Sequence, residues 1–181
     1  GLTAGTKSVA VDCGATSFDV TLADGGTSVS AGTGFNIKLA AKAGAAAKTC
    51  YVGSHTISWT MTGLTASTLD CGQTDGAPVA PSETSLTFTA GEAVTTASDA
   101  LFKAVQANAT ISAEDENSIA GTSGNITVGA GPVCRVRLRS AASGGGSIFT
   151  GASIDLNVSS ATPNSSATVY AAGYDAFGHY N

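Results

Sequence analysis

Residues 56–62 read TISWTMT, with Ile57, Trp59 and Met61 separated by single serines and threonines. Successive side chains of a strand point to opposite faces, so these three apolar residues share one face and the hydroxyl residues the other. A period of two over seven residues is the pattern of a half-buried strand. A helix face needs spacings of three and four. The same period recurs at Val9 and Val11, at Phe18, Val20 and Leu22, and at Phe35, Ile37 and Leu39. It returns at Leu86 and Phe88, Ile126 and Val128, Val136 and Leu138, and Ile154, Leu156 and Val158. Each run is short and bounded by Gly, Ser, Asp or Pro. Short alternating runs separated by turn residues predict an all-β antiparallel sandwich. Its expected inner face holds Phe35, Ile37, Leu39, Ile57, Trp59, Phe88, Ile111, Ile126 and Val128.

Around residues 94–113 the pattern weakens. A strand over 94–102, a loop over 103–106 and a strand over 107–113 fit best. A helical turn capped by Ser98, with Ala97, Leu101, Phe102 and Val105 as its stripe, is the competing reading. Residues 40–48 and 62–81 read as long loops, the second carrying Gly63, Gly72, Gly76, Pro78 and Pro81. An internal repeat is also legible. DGGTSVSAGTGFNIKL (24–39) aligns without gaps on SGGGSIFTGASIDLNV (143–158), 119 residues later. Just upstream, FDVTL at Phe18 corresponds to VRLRS at Val136, one residue out of step with that alignment. That spacing suits tandem immunoglobulin-like modules. The expected division is one immunoglobulin-like sandwich over 1–131, with an extra N-terminal strand over 7–12, and a partial second repeat or added strands over 132–181.

Charged residues make up 12% of the 181, about half the usual share for a soluble domain, roughly 25%. Ala, Gly, Ser and Thr take their place, a balance suited to extracellular fibres. With a net charge of −5 and no broad basic surface, nucleic acid is not an expected partner. Arg135, Arg137 and Arg139 alternate on one strand face and are expected to be solvated or to meet nearby carboxylates. No stretch reaches the ~20 apolar residues of a membrane helix, so membrane insertion is not expected. No leader is legible at Gly1, and a secreted chain is expected to have lost one.

Cys13, Cys50, Cys71 and Cys134 form an even set without a C-x-x-C pair, which favours two disulfides and an oxidising compartment over a zinc site. Of three possible pairings, Cys50 with Cys71 and Cys13 with Cys134 is expected, because the first two bracket one excursion of the chain. Closing a loop of that size stabilises by roughly 3 kcal/mol.

Four segments in order resemble the immunoglobulin-like repeats of large bacterial surface adhesins, the invasin/intimin-like and related extracellular fibre proteins. They are AGTGFNIKLAAKAG from Ala31, YVGSHTISW from Tyr51, LTFTAGEAV from Leu86, and ANATISAED with IAGTSGNITV from Ala107 and Ile119. The end of the chain, VYAAGYDAFGHYN from Val169, is similar to a segment that follows the first long strand of such repeats. The resemblance covers residues 30–128. Many such repeats lack cysteine, so the disulfides would be an elaboration. The resemblance implies a structural or adhesive role at the cell surface, with no catalytic residues and no cofactor to carry over. Fold likeness alone does not fix function.

The chemistry of individual residues points the same way. No nucleophile-elbow, phosphate-loop or dinucleotide signature stands in its strand–turn–helix context, and an enzyme is not expected. His55 is expected on a strand or loop, and His179, near Asp175, in solvent. Glu114, Asp115 and Glu116 are a weak metal candidate, with Asn117 and Ser118 nearby. A solvated hairpin turn is the simpler expectation. Trp59, Phe35 and Phe88 are expected in the core, not on a sugar platform. Asn108, Asn125, Asn157 and Asn164 each begin an N-x-S/T sequon. The expected partners are copies of the chain or neighbouring repeats joined by β-strand pairing, with a surface glycan or protein as a further receptor. Residues 7–11 are the expected donor strand for an incomplete second repeat. The alternative reading is a carbohydrate-binding sandwich of a secreted protein.

Overall fold

The computed structural model describes residues 13–149 and 168–181. Twelve strands and no helix are formed by the described residues: β1 (Ser17–Leu22), β2 (Ser28–Ser30), β3 (Ile37–Ala43), β4 (Ala46–Ala47), β5 (Gly53–Thr62), β6 (Ser85–Phe88), β7 (Glu92–Val94), β8 (Gln106–Asp115), β9 (Ala120–Thr122), β10 (Ile126–Gly129), β11 (Arg135–Arg139) and β12 (Tyr170–Tyr174). Within the described residues the alternating segments read from the sequence fall on these strands, while residues 40–48, read as a loop, hold the end of β3 and the whole of β4. In β1, Phe18, Val20 and Leu22 are buried; in β3 the inward residues are Ile37, Leu39 and Ala41. In β8 the inward side carries Ala109, Ile111, Ala113 and Asp115.

Two sheets enclose this core. In the first, β3 pairs with β1 along one edge and with β4 and β7 along the other. The second runs β2–β10–β8–β5–β6, with β9 also on β8. After β1 the chain changes sheets, and β2 joins β10 as a parallel pair. β1, β3 and β7 facing β5, β8 and β10 is the immunoglobulin-like order. Where the layers close on one another, β9 runs against β1 so tightly that a Cβ on Gly121 would lie 2.0 Å from the Phe18 carbonyl oxygen. Only glycine fits there.

Seven of the nine expected inner-face residues are buried, Phe88 at 2% exposure. Phe35 and Trp59 are half-buried and pack against the core. Trp59 lies at the rim because its indole Nε1–H donates to the Glu83 carbonyl 2.7 Å away, which draws the ring towards the β5–β6 connection.

The stretch after β7 corrects both sequence readings. No helical turn forms, and no continuous strand spans 94–102. Thr95 ends the ladder by exchanging two 2.9 Å bonds with Ile37, one through its hydroxyl. The Glu83 carboxylate then accepts the amides of Thr96 and Ala97. Ser98 turns left-handed at φ 51°, and the chain touches down only at single bridges, Ala100 to Phe35 and Leu101 to Val79.

The disulfide pairing is also corrected: Cys13 bonds Cys50, and Cys71 bonds Cys134. Cys50 and Cys71 lie beyond opposite ends of β5, ten residues long, or about 33 Å of extended chain. The return that would bring them together waits until β6. Cys13 instead lies beside Cys50 because Thr16 donates to Lys42 and Lys48 to Ala41, which bring the start of β1 to the β4 end of β3.

β11 and β12 form a separate antiparallel ribbon, Arg135 opposite Tyr174 and Arg139 opposite Tyr170. Cys134 ties it to the long loop, and Phe177 beyond β12 inserts into the sandwich core. The aligned strands of the internal repeat differ in burial. Phe18 and Val20 of β1 are buried, whereas Val136 of β11 is 63% exposed. Most of the repeat's second copy, and residues 7–11, lie outside the described residues.

Two outcomes follow from this architecture. Phe88→Ala removes a ring packed on Phe18 and Tyr51 and should cost about 3–5 kcal/mol in urea unfolding; a loss below about 1 kcal/mol would place the ring outside the core. Non-reducing peptide mapping should recover Cys13 linked to Cys50 and Cys71 to Cys134, and a Cys50–Cys71 peptide would contradict the fold.

Candidate functional site

The acidic triplet at the end of β8 is split by strand alternation. Glu114 faces solvent, Asp115 points inward and is buried, and Glu116 turns to β5. Asp115 Oδ1 accepts the amides of Asn117 (2.9 Å) and Ile119 (2.8 Å). Its Oδ2 accepts the Tyr51 hydroxyl at 2.5 Å and the Asn117 side-chain amide at 3.4 Å. Glu116 accepts the Thr56 amide at 2.7 Å, and its other oxygen lies 2.8 Å from His55 Nδ1. The His55 ring stacks on Tyr51 with centroids 4.2 Å apart.

His55, Asp115 and Glu116 therefore offer ligand atoms within 4.8 Å of one another, a grouping that the consecutive acidic residues did not reveal. In this arrangement they are committed to hydrogen bonds that close the β8–β9 turn onto β5. Each Asp115 oxygen already accepts two donors and each Glu116 oxygen at least one, so a cation would have to displace Tyr51, His55 or backbone amides. Burial pushes the Asp115 carboxyl up, but the donors from Tyr51, Ile119 and Asn117 outweigh it and hold it below the ordinary value. Burial, then the bond to Asp115, raises the Tyr51 phenol far above its usual range.

A second loop repeats the geometry. Asp175, 1% exposed, accepts the amides of Phe177 and His179 on Oδ1, each at 2.9 Å. Its Oδ2 accepts the Gly131 amide (2.8 Å) and lies 2.9 Å from His179 Nδ1. In both loops the aspartate amide donates to the carbonyl four residues on, and the residue three on donates back. Ser118 (φ 62°) and Gly178 (φ 79°) take the left-handed position this turn requires. His179 is not a solvated residue as expected. Its Nε2 accepts the Val105 amide at 3.3 Å, which leaves the proton on Nδ1, facing Asp175. Burial raises the Asp175 carboxyl, and the bonds from Gly131, His179 and Phe177 lower it further, to below the ordinary value. The aspartates share DENSI and DAFGH frames in which only Asp is identical, so the sequence carried little signal of the match.

Of the three aromatics expected in the core, Phe88 is buried and Phe35 and Trp59 are half-buried and pack against it. The three arginines share one face of the β11–β12 ribbon with Tyr174. Arg135 and Arg137 both meet Asp70, at 2.8 and 2.9 Å, while Arg139 donates to the Tyr174 hydroxyl and the Gly146 carbonyl. Asn108 and Asn125, the sequon asparagines among the described residues, are exposed.

Fold and sites together define an all-β, doubly cross-linked sandwich whose buried carboxylates are spent on backbone amides. No helix among the described residues is long and apolar enough to cross a membrane. No protein-family model, curated protein or solved structure matches the chain.

Asp115→Ala would strand the Tyr51 hydroxyl and two amides, and should cost about 3 kcal/mol in denaturant unfolding; a loss under about 1 kcal/mol would mean the loop does not depend on the carboxylate. Asp115 and Asp175 both titrate below their ordinary value of 3.8. The unfolded chain therefore takes up protons first as pH falls. The melting temperature should hold from pH 7 to about pH 5 and drop as pH falls below about 4. A melting temperature that is flat or rising down to pH 3 would contradict these assignments.

Proposed function

We propose that the chain is an extracellular structural or adhesive module, a subunit or segment of a bacterial surface fibre, that bears load and presents surface without turning over a substrate. The observation that carries this reading is where the cross-links fall. Cys13–Cys50 closes β1 to β4 into one covalent loop, and Cys71–Cys134 closes β6 to β10 into another. A pull on the chain ends passes across both bonds and bypasses most of the sandwich. Two disulfides also suit an oxidising, extracellular setting.

The resemblance of residues 30–128 to invasin/intimin-like repeats supports the same role, as does the low charge of a surface rich in Ser, Thr and Gly. Neighbouring copies or repeats would join through strand pairing at open sheet edges. A surface glycan or protein would be the further receptor.

The test is single-molecule extension of the full chain, oxidised and reduced. The disulfides enclose 37 and 63 residue steps, so reduction should add roughly 330–360 Å of contour length. An oxidised chain that already extends by that amount would show that load is not carried across the bonds, and would remove the main support for the fibre reading.

A further inference from the structure

Three of the chain's eight basic residues, Arg135, Arg137 and Arg139, stand on one ribbon face, in a protein that carries thirteen acidic residues. Cross-strand partners in an antiparallel pair share a face, so Tyr170 lies beside Arg139 and Tyr174 beside Arg135. Tyr180 bridges the far edge of β12 opposite Tyr174, its ring 6.0 Å from the Tyr174 ring. The guanidinium groups of Arg137 and Arg139 lie 5.5 and 5.4 Å from the Tyr174 ring centre.

Among the described residues one carboxylate, Asp70, meets these arginines, and it meets two of them. Asp70 is itself only 8% exposed and is held by the Cys71 amide, next to the Cys71–Cys134 bond. It orients two forks while neutralising one charge, and the face keeps a surplus of two positive charges. Arg135 is 50% exposed and keeps most of its five donors free for another acceptor. Tyr170 and Tyr180, 38% and 47% exposed, set aromatic surface beside the forks.

We infer that this face binds an acidic polysaccharide: the guanidinium of Arg135 takes a carboxylate or sulfate, and the exposed tyrosine rings take the faces of the sugars. Planar forks match carboxylate and sulfate oxygens in pairs, and aromatic rings supply apolar contact with a polar tip. The bulk of the surface, with its excess of carboxylates, repels a polyanion, so binding is confined to the ribbon. This inference does not rest on the fibre reading, and the extension measurement leaves it untouched.

The experiment is calorimetric titration of the full chain with alginate, dextran sulfate and neutral dextran. Alginate and dextran sulfate should bind, and more weakly as salt rises to about 0.5 M; neutral dextran should not. Arg135→Gln should weaken both by tenfold or more, and Tyr170→Ala should weaken alginate several-fold, both at the parental melting temperature. Arg135→Lys, which keeps the charge but not the fork, should recover only part of the loss and serves if the glutamine variant misfolds. Absence of polyanion binding, equal binding of neutral dextran, or binding unchanged in both variants overturns the inference. So does salt-sensitive self-association that Arg135→Gln abolishes, since the face would then meet a second copy of the chain.

Discussion

The register of β5 on β8, with Ile57 opposite Asp115 and Thr62 opposite Thr110, is the constraint on which the rest of the structure depends. A slip of one residue would put Ile57 on the same face as Ser112 and Glu114, so one of the two strands would turn its apolar set to solvent and its serines into the core. The same register carries Asp115 to the level of Tyr51 and His55, where its carboxylate finds the phenol. It also stretches residues 53–62 into one straight element that keeps Cys50 and Cys71 apart. The core, the acidic loop and the disulfide pairing are three readings of one alignment.

Polar groups do the joining that a small sandwich cannot achieve by apolar packing alone. Asp115 closes the β8–β9 turn and holds Tyr51 over the Phe18 and Phe88 rings. Asp175 does the same for the turn after β12 and reaches back to Gly131, so the ribbon is hydrogen-bonded to the sandwich as well as linked through Cys71–Cys134. Asp115 and Asp175 each have both oxygens filled by donors, which is the condition under which burying a charge is tolerated. Carboxylates committed in this way make a scaffold, and the freer chemistry lies on the ribbon's arginine–tyrosine face.

Much of the fold was legible because strand periodicity is a local property. Phe18, Val20 and Leu22, or Ile126 and Val128, declare their buried face within a few residues. What failed depended on partners distant in sequence. Glu83 replaces the ladder at Thr96 and Ala97 from thirteen and fourteen residues away, so the strand expected over 94–102 breaks. The cysteine pairing needed the length and direction of β5, not the spacing of the cysteines. His179 looked like a terminal, solvated residue until its two nitrogens were placed between Asp175 and Val105. The cluster of His55 with Glu116 joins residues 61 apart, and no local motif signals it.

The most direct test of the register is a set of cross-strand nuclear Overhauser contacts in the folded full chain. The account predicts contacts pairing Trp59 with Ala113 and Met61 with Ile111. Direct Hα–Hα or amide–amide contacts placing Trp59 opposite Ser112 or Glu114 instead would contradict it.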